Sequence, residues 1–373
     1  MTRLDGHVLT PQGFLKGRIE FADTRINAVV GEPVSEQAVR DSALPIILPG
    51  FVDLHVHGGG GRDIMQGGDA AAQIALTHAQ NGTTSLLATT MTAPVVELRA
   101  AFVGLASVRT GAAKSGAHIL GVHLEGPYIS SARLGAQPDF TRRLLFSEIE
   151  SLNAIAPIRL ITLAPEVDGN VDAIPALIAL GYKINLGHSA GTYEQACAAL
   201  AAGAHGVTHL YNAMSGLHHR QPGVVGAALA HATHAEIIPD LLHVHPGAIR
   251  VALRGIAGLY CVTDSTAAAG MPDGQYMLGR QQVTRCMGGV RLADGTLAGS
   301  VLTMDQAFRN LAGPLGLSLT EASLRTATLA AEYLGVADRG RLTAGSYADM
   351  VLLDRELQLT HVFTEGRAIE LAR

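Results

Sequence analysis

FVDLHVHGGGG, residues 51–61, is a β-branched and leucine-rich run that ends in two histidines one residue apart and then four glycines. Side chains alternate between faces along a strand, so His55 and His57 share one face. Seven further runs of the same kind follow: TSLLATT (84–90), HILGVHLE (118–125), IRLITLAP (158–165), YKINLGH (182–188), GVTHLYN (206–212), AEIIPDLLH (235–243) and GLYCVTD (258–264). Ala-rich stretches of helical character separate them. Strand and helix alternating through eight units predict an α/β protein with a closed (β/α)8, TIM-like barrel. DAAAQIALTHAQNG (69–82) reads as one of the intervening helices, stopped at Asn81-Gly82 by a left-handed residue.

The two ends break this alternation. Residues 1–48 and the tail YADMVLLDRELQLTHVFTEGRAI (347–369) are β-rich, and neither is long enough to bury two faces alone. They predict a small β-sandwich domain of residues 1–48 plus 337–373, beside a barrel domain of residues 49–336. Residues 267–335 are expected to cover the barrel, with MPDGQYMLG (271–279) and LADGTLAGS (292–300) as Gly-rich loops and helices over 302–311 and 320–334.

Composition limits the partners. With 48% hydrophobic and 16% charged residues the chain is a packed globular protein rather than a disordered one. A formal charge of −5 and the lack of a Lys/Arg-rich run exclude generic nucleic-acid and anionic-membrane binding. No window reaches the ~20 apolar residues of a membrane span, and the start has no signal-peptide pattern, so a cytoplasmic protein is expected. Cys197, Cys261 and Cys286 have no CxxC spacing and read as buried free thiols.

Sixteen histidines are the unusual feature. In a barrel of this type chemistry sits at the C-terminal ends of the strands, and five of the eight runs end in ligand-type residues: His55 and His57, Glu125, His188, His209 and Asp264. Any one of these alone reads as a hydrogen-bonded core residue. Together, several imidazoles with a carboxylate are a ligand set for Zn²⁺, with Fe²⁺, Mn²⁺ and Co²⁺ as competitors, and Glu125 is able to bridge two ions. Asp264 suits either a ligand or a proton shuttle beside an ion-activated water, a division of labour that fits hydrolysis of an amide.

These residues, with β-rich termini around them, resemble the amidohydrolase superfamily. Within it the chain is similar to the N-acetylglucosamine-6-phosphate deacetylase family through LPGFVDLHVHGGGG (48–61), HLEGPY (123–128), LAPE (163–166), NLGHSAGTYEQA (185–196), THLYNAMSGLHHRQPG (208–223), VTDSTAAAGMPDG (262–274) and DGTLAGSVLTMDQA (294–307). HLEGP together with HLYNAM is the specific part. The resemblance implies a metal-dependent deacetylase that hydrolyses N-acetyl-D-glucosamine 6-phosphate to D-glucosamine 6-phosphate and acetate. It implies one ion on Glu125, His188 and His209, a position on His55, His57 and Glu125 that can hold a second, so one or two ions in all, with Asp264 as catalytic acid/base, and a homodimer. By the same resemblance Ala136, Gln137, Asn212, Ala213, Arg220, His243, Leu297, Ala298 and Gly299 contact substrate.

Arg220 carries a planar donor fork suited to phosphate, with His243 as a second contact. His218 and His219 read as ordinary loop residues, and the glycines at 58–61 lack the Lys-Ser/Thr of a phosphate loop. Three departures from the family pattern bear on substrate choice: Pro239-Asp240-Leu241-Leu242 before His243, Gln137 in place of a histidine, and Ser265 in place of an alanine. The galacto epimer is the nearest alternative substrate, and another small N-acyl compound the wider one.

Overall fold

The computed structural model describes residues 1–110 and 116–371, so the tail's last two residues, 372–373, lie outside the described residues. All eight expected runs form parallel strands. Phe51–Val56, Thr83–Thr90, His118–Glu125, Ile158–Leu163, Lys183–Leu186 and Gly206–Val207 pair in chain order into one sheet, and His234–Ile237 pairs with Gly258–Cys261. The Leu210 N–H donates to the Glu236 carbonyl at 2.9 Å and bridges these two groups. The ring closes where the Asp264 N–H donates to the His55 carbonyl at 2.9 Å and the His57 N–H to the Ser265 carbonyl at 3.0 Å. Every residue of Phe51–Val56 is buried, as a parallel strand covered on both faces requires.

The helix expected over 69–82 spans Ala70–Ala79. It is followed by Gly82 at φ 88°, where a Cβ would stand 2.8 Å from the Phe51 ring. Glycine answers both demands at once.

The termini hydrogen-bond into one seven-stranded sheet, in the order Arg367–Ile369, Leu359–Thr364, Met350–Leu353, Ile46–Pro49, Thr2–Thr10, Gly13–Ala22, Arg25–Pro33. The sheet curls until its wings face each other: Phe21 and Phe363, from strands four places apart, meet edge to face with ring centroids 5.5 Å apart. That is how a single sheet serves as a sandwich. Ile47, Met350 and Leu352 point into this cluster, whereas Ile46, Leu48, Val351 and Leu353 point into the barrel's core, an alternation of period two. Buried Arg339 donates to Asp349 and to Glu365, each at 2.5 Å, and Glu365 also pairs with His118 at the start of the third barrel strand. These hydrogen bonds to His118 and Arg339 hold the Glu365 carboxyl down at about 2 against the effect of burial.

One expectation is corrected. MPDGQYMLG is not a loop: Gly274–Leu278, Gln281–Cys286 and Gly289–Arg291 form an antiparallel meander. Gly279, at φ 53°, makes the tight turn between alternating flanks that the glycine count obscured. The meander seats Leu278 against Met91, Ala298 and Val290 above the barrel. Beyond it, Met304–Ala312 is helical and Leu319–Leu334 runs as one helix with a π turn at Leu324–Thr328. No helix among the described residues is long and apolar enough to cross a membrane. The three cysteines are free; Cys261 is buried, and Cys197 and Cys286 are half-buried rather than enclosed.

Candidate active site

The strand ends deliver six ligand-type side chains to one point, and Glu125 is its centre. Its Oε1 lies 3.1 Å from His188 Nε2 and 3.0 Å from His209 Nε2; its Oε2 lies 3.1 Å from His57 Nε2 and 3.5 Å from His55 Nε2. Each carboxylate oxygen therefore faces its own pair of imidazoles. Asp264 Oδ1 stands 3.4 Å from His57 Nε2 and 3.5 Å from His55 Nε2.

Local backbone geometry makes this convergence possible. His188, His209 and Asp264 lie two or three residues beyond the ends of short strands and adopt φ values of 45°, 28° and 50°. Such left-handed backbone costs a non-glycine residue of the order of 1 kcal/mol or more and persists where surrounding structure over-determines it. Here the fixing contacts are visible. The Asp264 carbonyl accepts from the Ser300 N–H at 2.7 Å, and the His209 N–H is held by the Glu236 carboxylate at 3.2 Å.

The donor chemistry fits divalent cations. His188 Nδ1 faces the Arg133 carbonyl at 2.9 Å and His55 Nδ1 faces Glu236 Oε2 at 2.9 Å, so both must donate there. In the neutral rings Nε2 is then a lone pair aimed at a carboxylate oxygen. His188 and His209 Nε2 are 3.0 Å apart, and His55 and His57 Nε2 are 3.1 Å apart. Lone pairs converging in a buried site repel unless a cation or shared protons stand among them. Two triads, His55-His57-Glu125 and Glu125-His188-His209, have the compactness of ion sites and share Glu125.

Without an ion, protons fill this role. Burial alone would discharge the Glu125 carboxyl, yet the His55 and His188 imidazoles hold it well below the usual carboxylate range. Burial likewise opposes charge on His57, but hydrogen bonds to Asp264 and Glu125 raise its pKa to about 9. An ion must therefore displace a proton from His57 at neutral pH. His55 shares that position, and the Glu125, Asp264 and Glu236 carboxylates raise its pKa against burial as well, so apparent affinity there is expected to rise with pH through the neutral range, read by titrating metal-free protein with Co²⁺ in buffers of increasing pH.

A cavity of about 370 Å³, within the range of small-ligand sites, opens on His57, Glu125, His188, His209 and Asp264. Met91, Leu134, Leu278 and Leu297 give it apolar surface; Arg133, Gln137, Asn212 and His243 give it polar groups.

The amidohydrolase family pattern matches residues 46–369. The chain belongs to that family. This amidohydrolase is 42% identical over 330 residues to the N-acetylglucosamine-6-phosphate deacetylase of Vibrio furnissii, an alignment covering 87% of this chain and 82% of the relative. It is 38% identical over 368 residues to the N-acetylgalactosamine-6-phosphate deacetylase of Escherichia coli O157:H7, covering 96% and 97%. Among solved structures it is similar to an Asp-to-Ala variant of the Mycobacterium smegmatis N-acetyl-D-glucosamine-6-phosphate deacetylase in complex with N-acetyl-D-glucosamine 6-phosphate, with a TM-score of 0.89, 34% identity and 99% of each chain covered.

In this amidohydrolase Ala136, Gln137, Asn212, Ala213, His243, Leu297 and Gly299 line the cavity. Ala298 does not: it is fully buried in the apolar cluster under Leu278. Arg220 is exposed on a turn outside the cavity, with its Nη1 2.8 Å from His219 Nε2. Gln137 braces the centre, donating to Glu125 Oε2 at 2.7 Å while its Oε1 accepts from the Thr92 N–H at 2.7 Å. In the departure loop, Asp240 accepts from His243 Nδ1 at 2.6 Å and from the Leu242 and His243 N–H groups, while Leu242 itself faces outward. The stiffening thus fixes His243 rather than filling the cavity.

Met91, Leu278 and Arg133 are cavity residues that sequence reasoning missed. Arg133 arrives because the Ser130 N–H donates to the His188 carbonyl at 2.9 Å and draws its loop over the site, a tertiary contact that no local motif encodes.

Proposed function

We propose that this amidohydrolase hydrolyses the acetamide of N-acetyl-D-glucosamine 6-phosphate to D-glucosamine 6-phosphate and acetate. His55, His57, Glu125, His188 and His209 hold one or two ions, and imidazole with carboxylate donors suits Zn²⁺, with Fe²⁺, Mn²⁺ or Co²⁺ as substitutes. The observation that carries the reading is a buried carboxylate, Asp264, within 3.5 Å of His55 and His57 on the wall of a cavity that also reaches Glu125, His188 and His209. An ion held by these histidines and Glu125 would supply polarisation of the acetamide carbonyl and a lowered pKa for the attacking water. Asp264 takes that water's proton and returns it to the departing amine nitrogen. Its hydrogen bonds to the backbone at His55 and Ser300 hold it in place for both steps. Gly299, at φ 61°, lets the neighbouring segment lie against Asp264, because a Cβ there would come within 2.9 Å of the Asp264 carbonyl.

His243 serves the phosphate. Burial disfavours its charged form, but the Asp240 carboxylate outweighs that and raises its pKa, leaving Nε2 for an anion. The Ala136-Gln137 and Asn212-Ala213 segments offer polar groups to the sugar. Arg220, outside its own chain's cavity and paired with His219, reaches the phosphate through movement of its turn or from the second copy of a homodimer. Arg220→Ala is expected to raise KM roughly tenfold or more with kcat changed little, the signature of lost uniform binding in steady-state kinetics.

Acetate release from the sugar phosphate, its galacto epimer and the unphosphorylated sugar, on protein of known metal content, tests the reading. Preference for the phosphorylated gluco compound supports it, and inertness of all three with ions present overturns it. Preference for the galacto epimer would favour the second reading, which has its support in the E. coli relative aligned over nearly the full length.

A further inference from the structure

Beneath the ligand atoms, on strand His234–Ile237, lies a fully buried carboxylate that the proposed chemistry does not use. Glu236 Oε2 accepts from His55 Nδ1 at 2.9 Å and from the His209 N–H at 3.2 Å. Its Oε1 accepts from Asn185 Nδ2 at 3.2 Å and from the Tyr260 hydroxyl at 3.4 Å, and Asn185 is held in turn by the Tyr333 hydroxyl at 2.5 Å. Four donors thus converge on two oxygens, and two of them belong to residues on opposite sides of Glu125.

We infer that Glu236 is a positioning residue of the metal centre: it fixes the His55 tautomer that presents Nε2 to one ion, and holds His209 in the left-handed turn from which its ring serves the other. The inference rests on the metal-centre reading above. A histidine ligand whose other nitrogen is free can rotate or change tautomer, and a carboxylate partner removes both freedoms and strengthens the ring as a donor. His209, at φ 28°, is a backbone position that needs such a restraint. His55, His123 and Glu236 are also close enough together to be read as a third cation position. That reading fails on occupancy of the donors. His55 Nδ1 is committed to Glu236, and both His123 nitrogens face hydroxyls: Nε2 that of Thr162 at 2.7 Å, itself bonded to Thr208 at 2.6 Å, and Nδ1 that of Thr89 at 3.5 Å.

The test uses the full chain, freed of metal and dialysed against Zn²⁺ or Co²⁺, as wild type, Glu236→Met and Glu236→Gln. His188→Ala, which weakens the Glu125-His188-His209 position, tells the two ions apart. Glu236→Met is expected to weaken the ion at His55-His57-Glu125 about 10- to 100-fold, the scale for loss of an outer partner, and the other ion less. Weakening of neither ion, or of the Glu125-His188-His209 ion more than the other, overturns the inference, since the ring contact to His55 is the closer of the two.

Glu236→Gln keeps the shape and guards against a misfolded methionine variant. With its oxygen toward His55 it retains an acceptor, while Tyr260 and a flipped Asn185 take its amide. Near wild-type ion affinity is expected, with a shifted His55 ring N–H resonance in nitrogen-15 NMR of the zinc-loaded protein. An unchanged resonance overturns the inference. A wild type that binds no ion defeats the metal-centre reading instead; the same comparison in ion-free protein then decides the role of Glu236 separately.

Discussion

Asp264→Asn is expected to lose roughly 10²- to 10⁴-fold in kcat while keeping its ions, the range for removing a general acid–base. The amide preserves the shape of the side chain and an oxygen toward His55 and His57, but it cannot accept and return a proton. Ion retention follows from the distances: Asp264 lies 3.4–3.5 Å from those imidazoles, whereas Glu125 reaches three of the four within 3.1 Å. The pH profile provides a second readout. Burial would raise the pKa of Asp264, but His55 and His57 outweigh it and set a net value below the ordinary aspartate. The carboxylate therefore stays ionised throughout the mildly acidic range, and loss of wild-type activity on acidification there reports protonation of His55 and His57 and release of the ion they hold. Metal analysis alongside the rate measurement separates the two causes. A variant that loses one equivalent of metal together with its activity would make Asp264 a ligand first and a shuttle second.

Much of this site was legible before any coordinates because two periodicities constrain it. Alternation along a strand places His55 and His57 on one face, and the rule that barrel chemistry gathers at strand C-termini adds Glu125, His188, His209 and Asp264. The illegible parts depend on which way a chain turns after leaving a strand. Arg220 follows the His209 segment closely, yet three left-handed residues, His209, Tyr211 and Ala213, redirect the backbone between them, and the arginine ends outside the cavity. Glu236 was hidden for a different reason. Inside AEIIPDLLH a single glutamate has no ligand spacing, and only the closed barrel reveals that it faces His55 across 181 residues of sequence. The meander over the barrel was obscured because its glycines sit at turns and its strands are short.

Glu125→Ala should abolish both ion positions at once. Glu125 is the group the two triads share, so deleting its carboxylate leaves His188 and His209 as a pair too few to close an ion site, and His55 and His57 with only the more distant Asp264 beside them. Affinity for both ions is expected to fall by more than about 100-fold, beyond the effect of losing an outer partner, and turnover should fall to background. Thermal unfolding offers a check independent of activity. An ion that binds only the folded chain stabilises it by about 2.7 kcal/mol at 100 times its Kd, so added Zn²⁺ should raise the melting temperature of the metal-free wild type and leave Glu125→Ala unmoved. Glu125→Gln sharpens the argument, because an amide has one acceptor oxygen where the carboxylate has two. If each oxygen serves its own pair of imidazoles, the glutamine variant should bind a single equivalent of metal. Two equivalents retained there would show that the imidazoles hold the ions without the bridge, and the shared-carboxylate account of the centre would fall.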